Sequence, residues 1–373
     1  PFQGLAGVGV AYKLVQALAE EMPDRLPSPE KFLDLVALGT VADMAPLRDE
    51  NRAFVTDGLV ALRQTKRCGL RVLGEIARRP IESIEASDIA FAYGPRLNAA
   101  GRLAHAELSL QLLQASQVDE AEALARRLDA LNMERRRLTD LVIAEASDQV
   151  DPSAPLVFVV GSEFPVGVIG LVASHLVKTT GRPAFVATSI NGTVRGSARA
   201  PEGIPLHDVL ATQAGTLNSW GGHARAAGFA VDPDRVHELR EGLTRTLARE
   251  EGRLPIGKQL EADCRVFPHS ITWGTYEMMH DLGPFGESHH EPRFVVENVA
   301  VAESRVVASS HLAIRFAEVG QHVDAIWFGR AEVRDQLPPS QRCDVAFRLN
   351  RRSFGGETRL QMLIDDVRHA ANV

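Results

Sequence analysis

From Ala106 to Val150 the chain contains neither glycine nor proline, and Leu108, Leu112, Leu124, Leu128, Leu131, Leu138 and Leu141 recur near helical spacing. A stretch this long without a breaker folds as helix, here as one long connecting helix with a break near Ser116 to Val118. It divides the chain into a part before residue 105 and a part after residue 150, and the two parts read differently. Arg135, Arg136 and Arg137 fall within it and read as a solvated face, with at most a contact to a strand backbone.

Residues 1–104 read as helical. Val8 to Met22 carries apolar residues at helical spacing, and Ser28-Pro29-Glu30 gives a cap, a proline at the first helical position and an early acid. Phe32 to Ala37 continues that helix into Gly39. Asp43 follows, an acid among apolar neighbours between a helix and Pro46; it is either a helix-stop residue bonded to local amides or a metal ligand, and spacing leaves both open. Asp49 to Lys66 and Leu70 to Arg79 are further amphipathic helices, and Ser87-Asp88 caps a short one ending at Gly94-Pro95. Arg96-Leu97-Asn98-Ala99-Ala100-Gly101-Arg102 then reads as a tight, small-residue segment. Arg96, Asn98 and Arg102 there either line a solvated turn or approach a phosphate or a facing carboxylate, with Arg102 the stronger candidate.

After the long helix the pattern alternates. Leu156 to Val160 is a short apolar run of the kind that forms a buried strand, Val166 to Thr180 is a helix ended by Gly181 and Pro183, and Ala184 to Thr188 is a second strand. A third strand leads from Gly192 into Arg195-Gly196-Ser197-Ala198-Arg199; His207 to Ala214, Gly228 to Val231 and Asp234 to Arg249 complete an α/β domain. Arg195, Ser197 and Arg199 offer two guanidinium groups and a hydroxyl, which are phosphate-binding groups. Gly221-Gly222-His223 is either a plain turn with an ordinary polar residue or a place where backbone amides and an imidazole meet a ligand that a Cβ would hold off. The helix amino end near Gly167 to Gly170 can also take an anion. Beyond a linker at Gly252 to Lys258, five short strands follow at even spacing: Phe294 to Val301, Leu312 to Phe316, Val323 to Phe328, Cys343 to Leu349 and Leu360 to Ile364. Gly320-Gln321 and Gly355-Gly356 are the turns, and the pattern predicts a small barrel, an OB-fold suited to single strands.

Composition narrows the partners. The formal net charge is −7, so nucleic acid must be held by local clusters of arginine and lysine rather than by a basic surface. Cys68, Cys264 and Cys343 lie far apart without metal-ligand spacing, which fits a reducing, cytoplasmic setting and gives no zinc site. No stretch approaches a membrane span. The chain opens on Pro1 without a methionine or a signal-peptide pattern, as a fragment or a processed chain does.

The Arg/Ser and Gly-Gly-His motifs resemble the DHHA1 substrate-binding domain of the DHH phosphoesterases, and the resemblance extends through Leu38 to Leu47, Pro95 to Arg102, Gly167 to Ser174 and Leu282 to Gly286. Over nearly the whole chain the order of motifs is similar to the branch of that superfamily specific for single-stranded DNA. The resemblance implies four parts: the C-terminal part of a DHH domain (1–104), the connecting helix (105–150), a DHHA1 domain (151–255) and an OB-fold (256–373). It implies a 5′-to-3′ exonuclease of DNA repair and recombination that cuts single-stranded DNA from a 5′ end to mononucleotides, using two Mn²⁺ or Mg²⁺ ions. Asp43 would be the last metal ligand, its partners lying ahead of Pro1, so this chain alone would not cleave. Asp43 and His223 would be catalytic, and Arg96, Asn98, Arg102, Arg195, Ser197, Arg199, Gly221, Gly222 and His223 would hold phosphate. A single-strand-binding protein and a helicase are implied partners. Two positions depart from the family's pattern: Phe164-Pro165 stands where Trp-His is usual, and Ser288-His289-His290 where Gly-Asn-Pro is. The adjacent histidines at 289 and 290 do not make a metal site without a third ligand. Two alternatives stay open, a nanoRNase or cyclic-dinucleotide phosphodiesterase of the same superfamily, and a non-catalytic single-strand-binding replication module.

Overall fold

In the computed structural model, residues 2–249, 260–320, 323–354 and 357–370 are described. The linker at Gly252 to Lys258 and the turns completed by Gln321 and by Gly355-Gly356 lie outside them. In chain order the helices before the first strand are α1 (Gly7–Glu21), α2 (Leu33–Ala42), α3 (Asp49–Arg63), α4 (Cys68–Ile76), α5 (Ala86–Asp88), α6 (Gly94–Leu103), α7 (Glu107–Gln114) and α8 (Val118–Ser147). Then come β1 (Val157–Gly161), α9 (Val166–Thr180), β2 (Ala184–Ile190), β3 (Thr193–Arg199), α10 (Leu206–Ala211), β4 (Ser219–His223), β5 (Ala226–Val231) and α11 (Val236–Ala248). The last part holds β6 (Cys264–Arg265), α12 (Trp273–His280), β7 (Phe294–Val307), β8 (His311–Phe316), β9 (Val323–Trp327), β10 (Arg342–Phe354) and β11 (Glu357–His369). None of the described helices is long and apolar enough to cross a membrane.

Chain contacts divide the protein into two compact units, one of Pro1–Arg63, Glu85–Ile89 and Gln259–Val373, the other of Gln64–Ile84 and Ala90–Lys258. In the first, β7, β8, β9, β11 and β10 form a sheet that closes because β10 also pairs with β7, and β11 runs parallel to β9. Closure removes the exposed edges, and the inward face of each strand supplies the core: Val296, Val299, Leu312, Val345, Phe347 and Met362 are all buried. Three strands run longer than their apolar runs predict. In β7, β10 and β11 the extra residues whose side chains are described are mostly exposed, held by pairing with a neighbour rather than by burial.

The helices of the same unit correct one expectation. Gly39 does not end its helix: α2 continues to Ala42, because the missing Cβ lets α1 approach, where a side chain would meet Val8 Cγ1 at 2.8 Å. The segment Leu282 to His289 is tied to the start of α3. Leu47 N donates to Glu287 O (2.7 Å), Arg48 Nε to Ser288 O (3.1 Å), and Arg52 Nη2 to Leu282 O (2.7 Å), with Arg52 Nη1 also against His289 Nε2. His289 is thus part of this brace, and among the described residues no three His, Cys, Asp or Glu side chains gather as a metal would require.

In the second unit a five-stranded sheet of order β1-β2-β3-β5-β4 lies between two helical layers. One face packs Val157, Val159, Ala184 and Val186 against Val142 and Ala146 of α8 and Val168, Val172 and Leu176 of α9. The other packs Phe158, Phe185, Val194, Ala198 and Phe229 against α10 and α11. The long helical stretch is interrupted at residues 115–117, between α7 and α8, where the break was expected. The segment from Arg96 to Arg102 is a second correction. It is helical, because Pro95 enters at the first turn, where its missing N–H costs nothing, and Ala99 and Ala100 bury completely.

Candidate phosphate-binding site

Strand β3 alternates. Val194, Gly196, Ala198 and Ala200 are buried, while Arg195, Ser197 and Arg199 point to the α9 side of the sheet. Register then decides what surrounds them, because directly paired residues point to the same face. Ser197 pairs with Val186 on one side and Gly228 on the other, and Gly228 pairs with Gly221. Arg199 pairs with Ala184 and Ala226, and Ala226 with His223; Arg195 pairs with Ala230, and Ala230 with Ser219. Arg199 and His223 thus share a row two strands apart, about 10 Å at sheet spacing, and Ser197 and Gly221 share the next. The residues between them are Ala226 and Gly228, so the floor over β5 and β4 is nearly bare. Gly221 and Gly222 lie in an edge strand rather than a turn; the turn is Ala224-Arg225. Gly222 holds φ +143°, and a Cβ there would meet Ala226 O at 2.4 Å.

Helix α9 closes the side of this floor through two glycines. A Cβ on Gly170 would lie 2.9 Å from Arg199 Nη2 and 3.1 Å from Ser197 Oγ, and one on Gly167 would lie 2.1 Å from Arg102 O. The amino end of the helix therefore sits against both motifs. Arg102 Nη1 donates to Gly167 O (3.1 Å), while Arg199 Nη1 donates to Ser197 Oγ (2.9 Å) and Ala198 O (2.8 Å). Burial lowers the pKa of Arg102, and burial followed by the charge of Arg102 lowers that of Arg199. Among the described residues neither guanidinium has a carboxylate within ion-pair distance. Two cations brought together and partly desolvated, with no carboxylate between them, are the candidate phosphate-binding groups of this chain.

The other expected residues are placed differently. Arg96 donates through Nε to Asp129 Oδ1 (2.8 Å) and through Nη1 to Ala92 O (2.9 Å), so it faces a carboxylate of α8. Asn98 and His223 are exposed. Asp43 is the exposed C-terminal cap of α2, its N–H bonded to Gly39 O (3.0 Å). Sequence reasoning missed one group. Of the run Arg135 to Arg137, Arg137 does lie on the solvated face, bidentate to Glu134 (2.8 and 2.7 Å), whereas Arg135 is half-buried. The signal was Asn132, a polar residue one turn earlier that is 1% exposed and accepts from Arg135 Nη2 (3.0 Å).

An α/β domain whose bare sheet face is bordered by arginines and a helix amino end, in a chain that also builds a closed five-stranded barrel, defines the DHHA1 and OB-fold class of protein. Family comparison agrees: the family described as the DHHA1 domain matches residues 154–249, and the RecJ OB domain matches 262–366. The chain belongs to the RecJ family of single-stranded-DNA-specific exonucleases. It is 33% identical over 377 residues to the Bacillus subtilis RecJ exonuclease, covering 98% of this chain and 47% of that protein. To Escherichia coli RecJ it is 31% identical over 394 residues, covering 98% and 68%. The crystal structure of Thermus thermophilus RecJ in complex with Mg²⁺ superposes with a TM-score of 0.85 at 31% identity, over 98% of this chain and 56% of that one. The chain thus spans about half the length of the Bacillus relative and of the Thermus structure.

Proposed function

We propose that this chain carries the substrate-binding part of a 5′-to-3′ exonuclease that degrades single-stranded DNA to mononucleotides in DNA repair and recombination. The observation that carries the reading is the single sheet face on which Arg195, Ser197, Arg199 and His223 stand beside Arg102 over a floor of alanine and glycine. Arg102 and Arg199 hold a phosphate and neutralise its charge. Ser197 bonds one of its oxygens, and His223 meets the strand from the floor's edge. Gly221, Gly222 and Gly228 let the sugar-phosphate chain lie close to the backbone.

A divalent ion, Mn²⁺ or Mg²⁺, fits the reading, and RecJ from Thermus thermophilus has been solved with each. Asp43 is the candidate ligand in this chain. Among the described residues it does not belong to a cluster of ligating side chains, so these residues do not by themselves make up a two-ion site. The remaining ligands are proposed to come from sequence ahead of Pro1. We also infer a cytoplasmic setting, from three free cysteines, and partners that expose and hold a single strand, a helicase and a single-strand-binding protein. The barrel over 262–366 favours a long strand over a dinucleotide as substrate.

The test uses a protein extended to the full length of its relatives. Long 5′-phosphorylated single-stranded DNA should be degraded to mononucleotides far faster than dinucleotides, and Asp43→Ala should abolish cleavage while leaving strand binding largely intact. Faster cleavage of dinucleotides, or an active Asp43→Ala variant, overturns the substrate or the ligand assignment respectively.

A further inference from the structure

Helix α8 packs against both α6, which ends in Arg102, and α9, whose amino end faces Ser197 and Arg199. From it, Arg135 brings a third guanidinium to the same region. Its Nη2 is fixed by Asn132 Oδ1, but its Nε is buried and has no hydrogen-bond partner. A buried N–H without an acceptor costs about 1–3 kcal/mol, so it persists where something else satisfies it or where function requires it. Its surroundings repel rather than compensate. Burial comes first in lowering the pKa of Arg135, followed by the charges of Arg136 and Arg102, and Asp140 offsets them only weakly. Asn132, itself buried, accepts from Nη2 and so fixes the guanidinium fork, leaving Nε without an acceptor.

We propose that Arg135, held by Asn132, is a third arm of the phosphate site and determines its preference for a terminal phosphate monoester over an internal diester. The proposal rests on the reading of Arg102, Ser197 and Arg199 as a phosphate site. A monoester carries close to two negative charges near neutral pH and has three terminal oxygens, whereas a diester carries one charge on two. Arg102 and Arg199 are enough for the diester. A third cation with an unfilled donor adds stabilisation only when the extra oxygen and charge are present, which makes Arg135 a specificity residue rather than a general anchor.

The experiment measures equilibrium binding of a 3′-labelled oligothymidylate, bearing either a 5′-phosphate or a 5′-hydroxyl, to the 373-residue chain at one salt concentration. The wild-type chain should prefer the phosphorylated strand, and Arg199→Ala should remove that preference. Arg135→Lys keeps the charge but loses the planar fork; it and Arg135→Gln should each lower the preference ratio about tenfold, equivalent to ~1.4 kcal/mol. If Arg199→Ala removes the preference while both Arg135 variants keep it, the phosphate site stands and the role of Arg135 is overturned. Equal losses on both strands with a lowered melting temperature would make Arg135 structural and also overturn it. No preference in the wild-type chain would overturn the phosphate-site reading, and this inference with it.

Discussion

The arginines at the candidate phosphate site and those of the barrel are held in opposite ways. In the barrel nearly every arginine that is held is held by a carboxylate: Arg265 by Glu297 (2.9 Å), Arg342 by Glu318 (3.1 Å), Arg351 by Glu85 (3.3 Å) and Arg368 by Asp344 (2.9 Å). Asp365 takes two at once, Arg293 and a bidentate Arg348. Around the candidate phosphate site Arg102, Arg135 and Arg199 are partly desolvated, the charge of Arg102 adds to burial in lowering the pKa of the other two, and all three are bonded only to neutral oxygens. Arginine paired with carboxylate is architecture; arginine desolvated without one marks a candidate anion site.

The sharpest way to break the comparison is to remove one arginine from each side. Arg199→Ala should weaken binding of a 5′-phosphorylated strand about 100-fold, near the upper worth of a charge-assisted hydrogen bond, and should leave the melting temperature unchanged or slightly raised. A large fall in melting temperature would mean that Arg199 holds the fold together as the barrel arginines do. Asp365→Ala is the mirror case. It strands two guanidiniums, and because Arg293 and Arg348 are each about a third exposed the cost should be about 2 kcal/mol rather than that of a fully buried pair. Denaturant unfolding measures it, and an unchanged midpoint would remove the architectural half of the contrast.

What the sequence disclosed follows the same division. The elements were legible wherever a period repeated: the uninterrupted run into α8, the apolar strands β1 and β2, and the five barrel strands. The candidate site was legible where one strand carried its groups, because Arg195, Ser197 and Arg199 alternate with small buried residues. It was not legible where the structure depends on what a glycine allows at a distance. Gly39 reads as the end of a helix, yet it is the contact point for Val8; of the two readings of Gly221-Gly222, a turn or a place of close ligand approach, the turn gives way to an extended strand. Arg135 was hidden by its neighbours, since a run of three arginines on a helix looks solvated until Asn132 shows which of the three turns inward.

A smaller effect separates the barrel's charge network by pH. Burial raises Glu291 to about 6 from 4.5, with Arg348 opposing and Asp365 and Glu85 adding to the rise. A carboxyl whose pKa is raised on folding binds its proton more tightly in the native state. Its contribution is complete below the unfolded value and is lost as pH climbs through about 6. Glu291→Gln keeps the shape without the titration. Relative to wild type, the variant should gain about 1 kcal/mol between pH 4.5 and pH 7, after discounting for partial exposure. A difference independent of pH would show that Arg348 compensates Glu291 fully.

The smallest expected effect tests whether site and fold can be separated within the α/β unit. At Gly167 an added Cβ would strike backbone, Arg102 O at 2.1 Å, so Gly167→Ala must move α9 or α6. At Gly170 the nearest atoms are Arg199 Nη2 at 2.9 Å and Ser197 Oγ at 3.1 Å, the ends of side chains that can turn aside. Alanine also favours a helix interior over glycine by about 1 kcal/mol, which offsets the crowding. Gly170→Ala should therefore keep or slightly raise the melting temperature while lowering affinity for the phosphorylated strand about threefold, because the displaced guanidinium no longer points where the phosphate is held. Since the change adds one methyl group and removes no charge, such a loss could come only from geometry. Unaltered binding in a stable Gly170→Ala protein would mean that the phosphate does not lie between α9 and β3, and that the unpaired arginines serve a ligand bound elsewhere on the face.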